Sequence, residues 1–135
     1  MRFLHFNHLA LVASVMIQWV LGVVWYSPLL FGKPWQALVT IRPEAKKRST
    51  VLSMAASLVA CLIVSLLLLR AIEWAGVIGL KSGAFLGFKL AVGFIAMPLF
   101  VESIYESRPF KLFIINTAYW TLALVLGGAV LSRWQ

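Results

Sequence analysis

The sequence is poor in charge, in acid and in cysteine. Only 12% of its 135 residues are charged, where an ordinary soluble domain carries about 25%. Hydrophobic residues make up 62%, and the mean hydropathy is +0.96. Together these values exclude a soluble globular domain, because a small fold leaves much of its surface in water. They also exclude a disordered chain, which requires low hydrophobicity. The single cysteine, Cys61, lies inside an apolar run, so it excludes an intrachain disulfide and a disulfide scaffold. Four acidic residues stand against 12 basic ones, for a net charge of +8. In a soluble protein that balance suggests nucleic acid. Here the basic residues sit mostly between apolar runs, as in the loops of membrane proteins, and no nucleic-acid partner is expected. What remains is a polytopic membrane protein whose first partner is the lipid bilayer.

Four apolar segments are present, at about residues 9–26, 51–69, 83–101 and 112–131. Each is about 18–20 residues long, which at 1.5 Å per residue matches a ~30 Å hydrocarbon core. The runs are continuous rather than alternating, so they read as helices and not as barrel strands. The expected fold class is an all-α membrane protein, with four transmembrane helices in one antiparallel bundle covering residues 1–135. The first segment, preceded by Arg2, weakly resembles a signal peptide. Its apolar run continues past Gln18 to Trp25, so we read it as a retained span.

Orientation follows from the loops. Lys33, Arg42, Lys46, Lys47, Arg48, Arg108 and Lys111 lie in loops one and three, against Arg2, Arg70, Lys81 and Arg133 on the other side. The positive-inside rule puts loop one, residues 27–50, in the cytoplasm and both termini in the periplasm of a bacterial inner membrane. The centre of loop one, Pro34 to Val39, is amphipathic enough for a short interfacial helix anchored by Trp35. Arg42, Lys46, Lys47 and Arg48 could meet anionic lipid heads. Lys46-Lys47-Arg48 is a run of three charges, fewer than the roughly four to eight of lipid-reading clusters, and a topology signal is the plainer reading. Lys33-Pro34-Trp35 and Arg108-Pro109-Phe110 each follow an odd-numbered span, a weak echo of an internal repeat.

In lipid, small residues that admit close backbone approach decide helix packing. Span one carries Ala10, Ser14, Gln18 and Gly22 at four-residue steps. Span two carries Ser53, Ser57, Cys61 and Ser65, and span three Gly79, Gly83, Gly87 and Ala91. Span four is less regular, with Thr117, Thr121, Gly127, Gly128 and Ser132. Each stripe stays on one helix face for about three turns. The expected packing residues include Ser14, Gly22, Ser57, Cys61, Gly83 and Gly87. Cys61 reads as a small packing residue rather than a nucleophile, since burial in lipid opposes its thiolate.

Few residues could carry chemistry. Lys89 sits inside span three, at an insertion cost of about 2.5–3.5 kcal/mol at mid-span. It could face a cavity or an anionic ligand, but snorkelling along its long stem explains it more simply. Glu102 and Glu106 are one turn apart, and a solvated helix end near Arg108 and Lys111 is preferred to a metal site. Gln18 and Asn116 read as interhelical hydrogen-bonding residues. His5 and His8 lack a third ligand for zinc, so no metal and no cofactor is expected. Trp19, Trp25, Trp74, Trp120 and Trp134 read mostly as an interfacial aromatic belt.

Two stretches carry a family resemblance. One is Asn7-x-x-Ala10 through Gly22-x-x-Trp25-Tyr26-Ser27-x-x-x-Phe31-Gly32-Lys33-x-Trp35. The other is Pro109-x-Lys111-Leu112, then Asn116-x-x-Tyr119, then Gly128-Ala129-x-Leu131-x-x-Trp134. Together they resemble the family of small bacterial membrane proteins called domain of unknown function 1761. The resemblance covers nearly the whole chain. It implies four spans and brings no assigned activity, and Lys89 is not in its pattern. It places any shared role at Trp25 to Trp35, where Gly32 permits a tight turn and Trp25, Tyr26 and Trp35 could line an interfacial pocket. A rigid turn at the membrane surface is the simpler account of that segment.

The expected function is that of a non-enzymatic accessory or scaffold subunit, associating with itself or with a larger membrane complex. The alternative is a small oligomeric transporter or channel for a small or anionic solute, with Lys89, Gln18 and Asn116 along its path. A second alternative is a lipid-interacting enzyme using Glu102 or the histidines.

Overall fold

The computed structural model describes residues 8–38 and 50–134. Among these the chain is helical, with no strand. Helix α1 is His8–Trp25, α2 is Gly32–Leu38 and α3 is Thr50–Ala75. Helix α4 runs Leu80–Tyr105, and α5 is Phe110–Arg133. Four of these, all but α2, are long and apolar enough to cross a membrane. Short α2, Gly32–Leu38, overlaps the stretch that the sequence marked for a short helix in loop one. The Arg42, Lys46, Lys47 and Arg48 cluster, and His5, lie outside the described residues.

The helices run past the purely apolar segments because their ends find local partners. Arg70 and Glu73 form an ion pair at 2.8 Å one turn apart on α3. That pairing lets the helix continue to Ala75. Gly76 then stops it at φ 65°. Its N–H reaches Glu73's carbonyl, and Val77's N–H reaches Ile72's. This is the Schellman pattern, which needs a residue that adopts the left-handed conformation without strain. Helix α4 contains a π-helical turn at Val92–Ala96, where Met97 N–H bonds to Val92's carbonyl. Pro98 accounts for it. Proline has no N–H to give Phe94's carbonyl, and its ring would strike that carbonyl in a regular α-helix.

Helix α5 is the centre, packed against α1, α3 and α4. Its contact with α4 is made backbone to backbone. A Cβ on Gly83 would run into Ser132's side chain and Gly128's carbonyl, and one on Gly87 into Leu124's carbonyl. Ser132 Oγ lies 2.7 Å from the carbonyls of both Gly79 and Gly128, tying the start of α4 to the end of α5. So the span-three stripe of Gly83 and Gly87 is used within the chain, and its counterpart is the less regular stripe of span four.

The bundle is close at one end and splayed at the other. Ala10 to Gln18 of α1, Leu68 to Ile72 of α3, Gly83 to Ala91 of α4 and Ala123 to Ser132 of α5 supply the core. Residues 51–59 of α3 are exposed throughout, and Met97–Tyr105 buries nothing. At that end α1 and α5 stay together, while α3 and α4 keep only sparse contacts with them.

Gly83→Val should therefore lower the unfolding free energy by about 2 kcal/mol, through overpacking against immovable backbone. Gly93 has nothing within 4 Å of an added Cβ. Gly93→Ala should be neutral or stabilising by up to about 1 kcal/mol. Unfolding in mixed micelles by titration with a denaturing detergent, followed by circular dichroism, checks both. Equal losses at the two positions would contradict the packing described.

Candidate functional site

The polar residues of α1 separate into two groups. Ser14 and Gln18 are fully buried with Ser65 of α3. Gln18 Nε2 donates to Ser14 Oγ at 3.0 Å and to Ser65 Oγ at 2.8 Å, and the two hydroxyls lie 3.0 Å apart. Gly127 of α5 leaves the room, since a Cβ there would come within 2.7 Å of Gln18 Nε2. Tyr119 Oη donates to Gln18's main-chain carbonyl at 3.0 Å. Gln18 Oε1 has no partner among the described residues. An amide's O and N are assigned from their bonds. Exchanging them would satisfy the oxygen and orphan the nitrogen, so one end of this carboxamide stays unpaired either way.

The second group lies where the bundle splays. Tyr26 Oη donates to Asn116 Oδ1 at 2.8 Å, and Trp25 Nε1 donates to Ile115's carbonyl at 3.1 Å. Tyr26 also meets Trp35 and Tyr119 edge to face, with ring centroids 5.3 and 5.6 Å apart. The turn that delivers Trp35 is closed by Phe31 N–H to Trp25's carbonyl and by Gly32 N–H to Ser27's. Gly32 is needed for close approach rather than for an unusual φ. A Cβ there would sit 2.6 Å from Ser27's carbonyl carbon.

Two adjoining cavities open beside these residues. The first, of about 860 Å³, is lined by Tyr26, Trp35, Ser53, Ser57, Arg108 and Asn116, with Glu106, Ser107, Pro109, Leu38 and Leu112. The second, of about 430 Å³, continues from the shared residues Tyr26, Ser53 and Ser57 to Trp19, Met54, Cys61, Tyr119 and Trp120. They form one groove between α1, α3 and α5. Its outer end is polar, holding the Arg108–Glu106 ion pair, an amide and hydroxyls. Its inner end is aromatic and apolar. Trp19 Nε1 spans the groove wall, lying 3.2 Å from Ser57 Oγ and 3.3 Å from Met54's carbonyl.

The residues singled out from the sequence fall differently around this groove. Tyr26, Trp35 and Asn116 line it, and Trp25 and Gly32 build its rim. Gly22 and Cys61 line its inner part. Ser57 is exposed and lines the groove, where it accepts from Trp19 of α1 instead of sitting in a close helix–helix seam, because the start of α3 leans away. Lys89 is exposed on α4 with its ammonium 4.3 Å from the centre of Phe85's ring, one turn nearer the helix start. That is the snorkelling geometry, stabilised by cation–π attraction. Of Lys89, Gln18 and Asn116, Asn116 alone lines these two cavities. Glu102 is exposed and lines neither cavity, while Glu106 pairs with Arg108. Among the described residues no group of His, Cys or Glu could hold a metal.

The sequence reading missed Trp19, Trp120, Ser53 and Arg108. The tryptophans read as an interfacial belt, yet both line the inner groove. Their mid-span positions were the available signal, since a belt residue belongs near a span end.

The fold and this groove define a multi-pass, all-α membrane protein with a recess opening on its side. Residues 9–132 match the family described as protein of unknown function (DUF1761), and the chain belongs to it. No curated protein and no solved structure matches it.

The Tyr26–Asn116 bond should be a coupled pair. In a double-mutant cycle of Tyr26→Phe and Asn116→Leu, read by unfolding in micelles, a coupling of about 0.6 kcal/mol is expected, and up to about 1.7. Strict additivity would show that the bond does not hold α1 to α5.

Proposed function

We propose that this is a non-enzymatic membrane protein that holds an amphiphilic molecule in the groove between α1, α3 and α5. One observation carries the reading: a continuous recess graded from ion pair and amide at one end to tryptophan, methionine and cysteine at the other. Ligand sites are commonly concave and mostly apolar, with a few placed polar groups. A gradient along one groove matches a molecule with a polar head and an apolar tail. The role is that of an accessory or binding component rather than a catalyst. Self-association, or a place in a larger membrane complex, stays part of the proposal, with support from the broad apolar perimeter of α1 and α3. The oligomeric transporter reading draws less support from the single chain, where Gln18 is buried among α1, α3 and α5 and Lys89 is exposed on α4. The charge of the loops supports a bacterial inner-membrane protein with loops one and three cytoplasmic and both termini periplasmic.

Native mass spectrometry of the gently extracted protein tests this. A retained adduct of lipid size is expected on the wild type. Ala60 lines the inner groove, so Ala60→Trp should abolish the adduct while circular dichroism stays unchanged. A wild-type protein that is bare at every extraction strength would overturn the reading. So would an adduct indifferent to Ala60→Trp.

A further inference from the structure

The outer cavity carries both charges, which narrows what it can take. Glu106 Oε2 meets Arg108 Nε, leaving both Nη groups and Glu106 Oε1 open. Both residues line the cavity, as does Asn116. Asn116 accepts from Tyr26 through Oδ1, and its Nδ2 hydrogens have no partner among the described residues. Helix α5 begins at the same place. Pro109 precedes it and no side chain caps it, while Pro109 and Leu112 both line the cavity. This 24-residue helix has no side-chain cap, so the positive end of its dipole lies at this space. Arg108, Asn116 Nδ2 and this helix start are together a receptor for a phosphate. Glu106 and the edge-to-face rings of Tyr26 and Trp35 are a receptor for an ammonium. A purely anionic head would meet the Glu106 carboxylate; a purely cationic one would meet Arg108.

The inner cavity sets the tail. Its volume of about 430 Å³, walled by Trp19, Met54, Cys61 and Trp120, receives an apolar chain. Resting on the groove reading above, the geometry points to a phospholipid with a zwitterionic phosphate–ammonium head as the occupant. The phosphate sits between Arg108, Asn116 and the start of α5. The ammonium lies at Glu106 against Tyr26 and Trp35, and the chain passes Ser57 to end between Trp19 and Trp120.

The test is competitive native mass spectrometry of the full chain in neutral detergent, with four probes sharing palmitoyl chains. These are lysophosphatidylethanolamine, lysophosphatidylglycerol, palmitate and the two-chain phosphatidylethanolamine. The two ethanolamine lipids should each be retained at least tenfold over lysophosphatidylglycerol and palmitate. Arg108→Gln should weaken both lysophospholipids tenfold or more. Glu106→Gln should keep binding but erase the preference over lysophosphatidylglycerol. Both residues are exposed and lie beyond the ends of the spanning helices, so the variants should melt with the wild type, and thermal unfolding checks this. Equal retention of all four heads and chains overturns this proposal while leaving the groove reading intact. So does preference for lysophosphatidylglycerol or for palmitate. Failure to retain any probe overturns both.

Discussion

The contact of α4 with α5 is the constraint on which the rest of the structure depends. In a bilayer, apolar side chains gain little by leaving lipid for one another. Helices associate where backbones can approach, so that dispersion and short polar contacts accumulate. Gly83 and Gly87 against Gly128 and Leu124's carbonyl supply that approach. Ser132 fixes the register by bonding to Gly79 across the gap. With α4 pressed on one face of α5, the other faces receive α1 and α3, and the close end of the bundle is complete.

The same constraint explains why the other end is open. Buried small residues on α4 end at Ala96, the last residue of the π-helical turn forced by Pro98. Beyond it Met97–Tyr105 carries bulky side chains and buries none of them. Phe100 meets Phe113, ring to ring at 5.6 Å. Helix α3 behaves alike. Cys61 and Ser65 allow contact, but Ser53 and Ser57 come where α1 presents Trp19 and α5 presents Trp120, and two indoles hold the helices apart. Trp19 then tethers α3 at a distance through Ser57 and Met54. The groove is thus a product of where small residues end, not of a separate element.

This explains which parts were legible in the sequence. Four spans follow from the length of the apolar runs, and the glycine stripe of span three announces a close contact. Helix ends were less legible, because Arg70 and Glu73 look like a boundary when read singly and neutralise each other when folded. The face of a small-residue stripe is given by its spacing. Whether a neighbour reaches that face is not, since in lipid the buried and exposed faces are equally apolar. Hence the stripe of span two reads as one feature, yet its Cys61 and Ser65 are buried while Ser53 and Ser57 line a cavity. In water, polarity would have marked the difference.

The buried Ser14–Gln18–Ser65 cluster then takes on a definite part. Its bonds contribute modestly, about 0.6 kcal/mol each on average inside membranes. An unpaired amide end works against even that. Net stability is therefore a poor explanation for a carboxamide at this depth. Position is a better one. Gln18 binds α3 through Ser65, and its carbonyl receives Tyr119 of α5. One residue thereby fixes α1 relative to both neighbours, one turn from Gly22, where the inner groove begins. Sliding α1 by a turn would leave several polar groups without partners in a medium that supplies none. The cluster acts as a register pin at the boundary between the closed and open halves. It holds Trp19 and Tyr26 at the heights where they form the groove wall and its polar mouth.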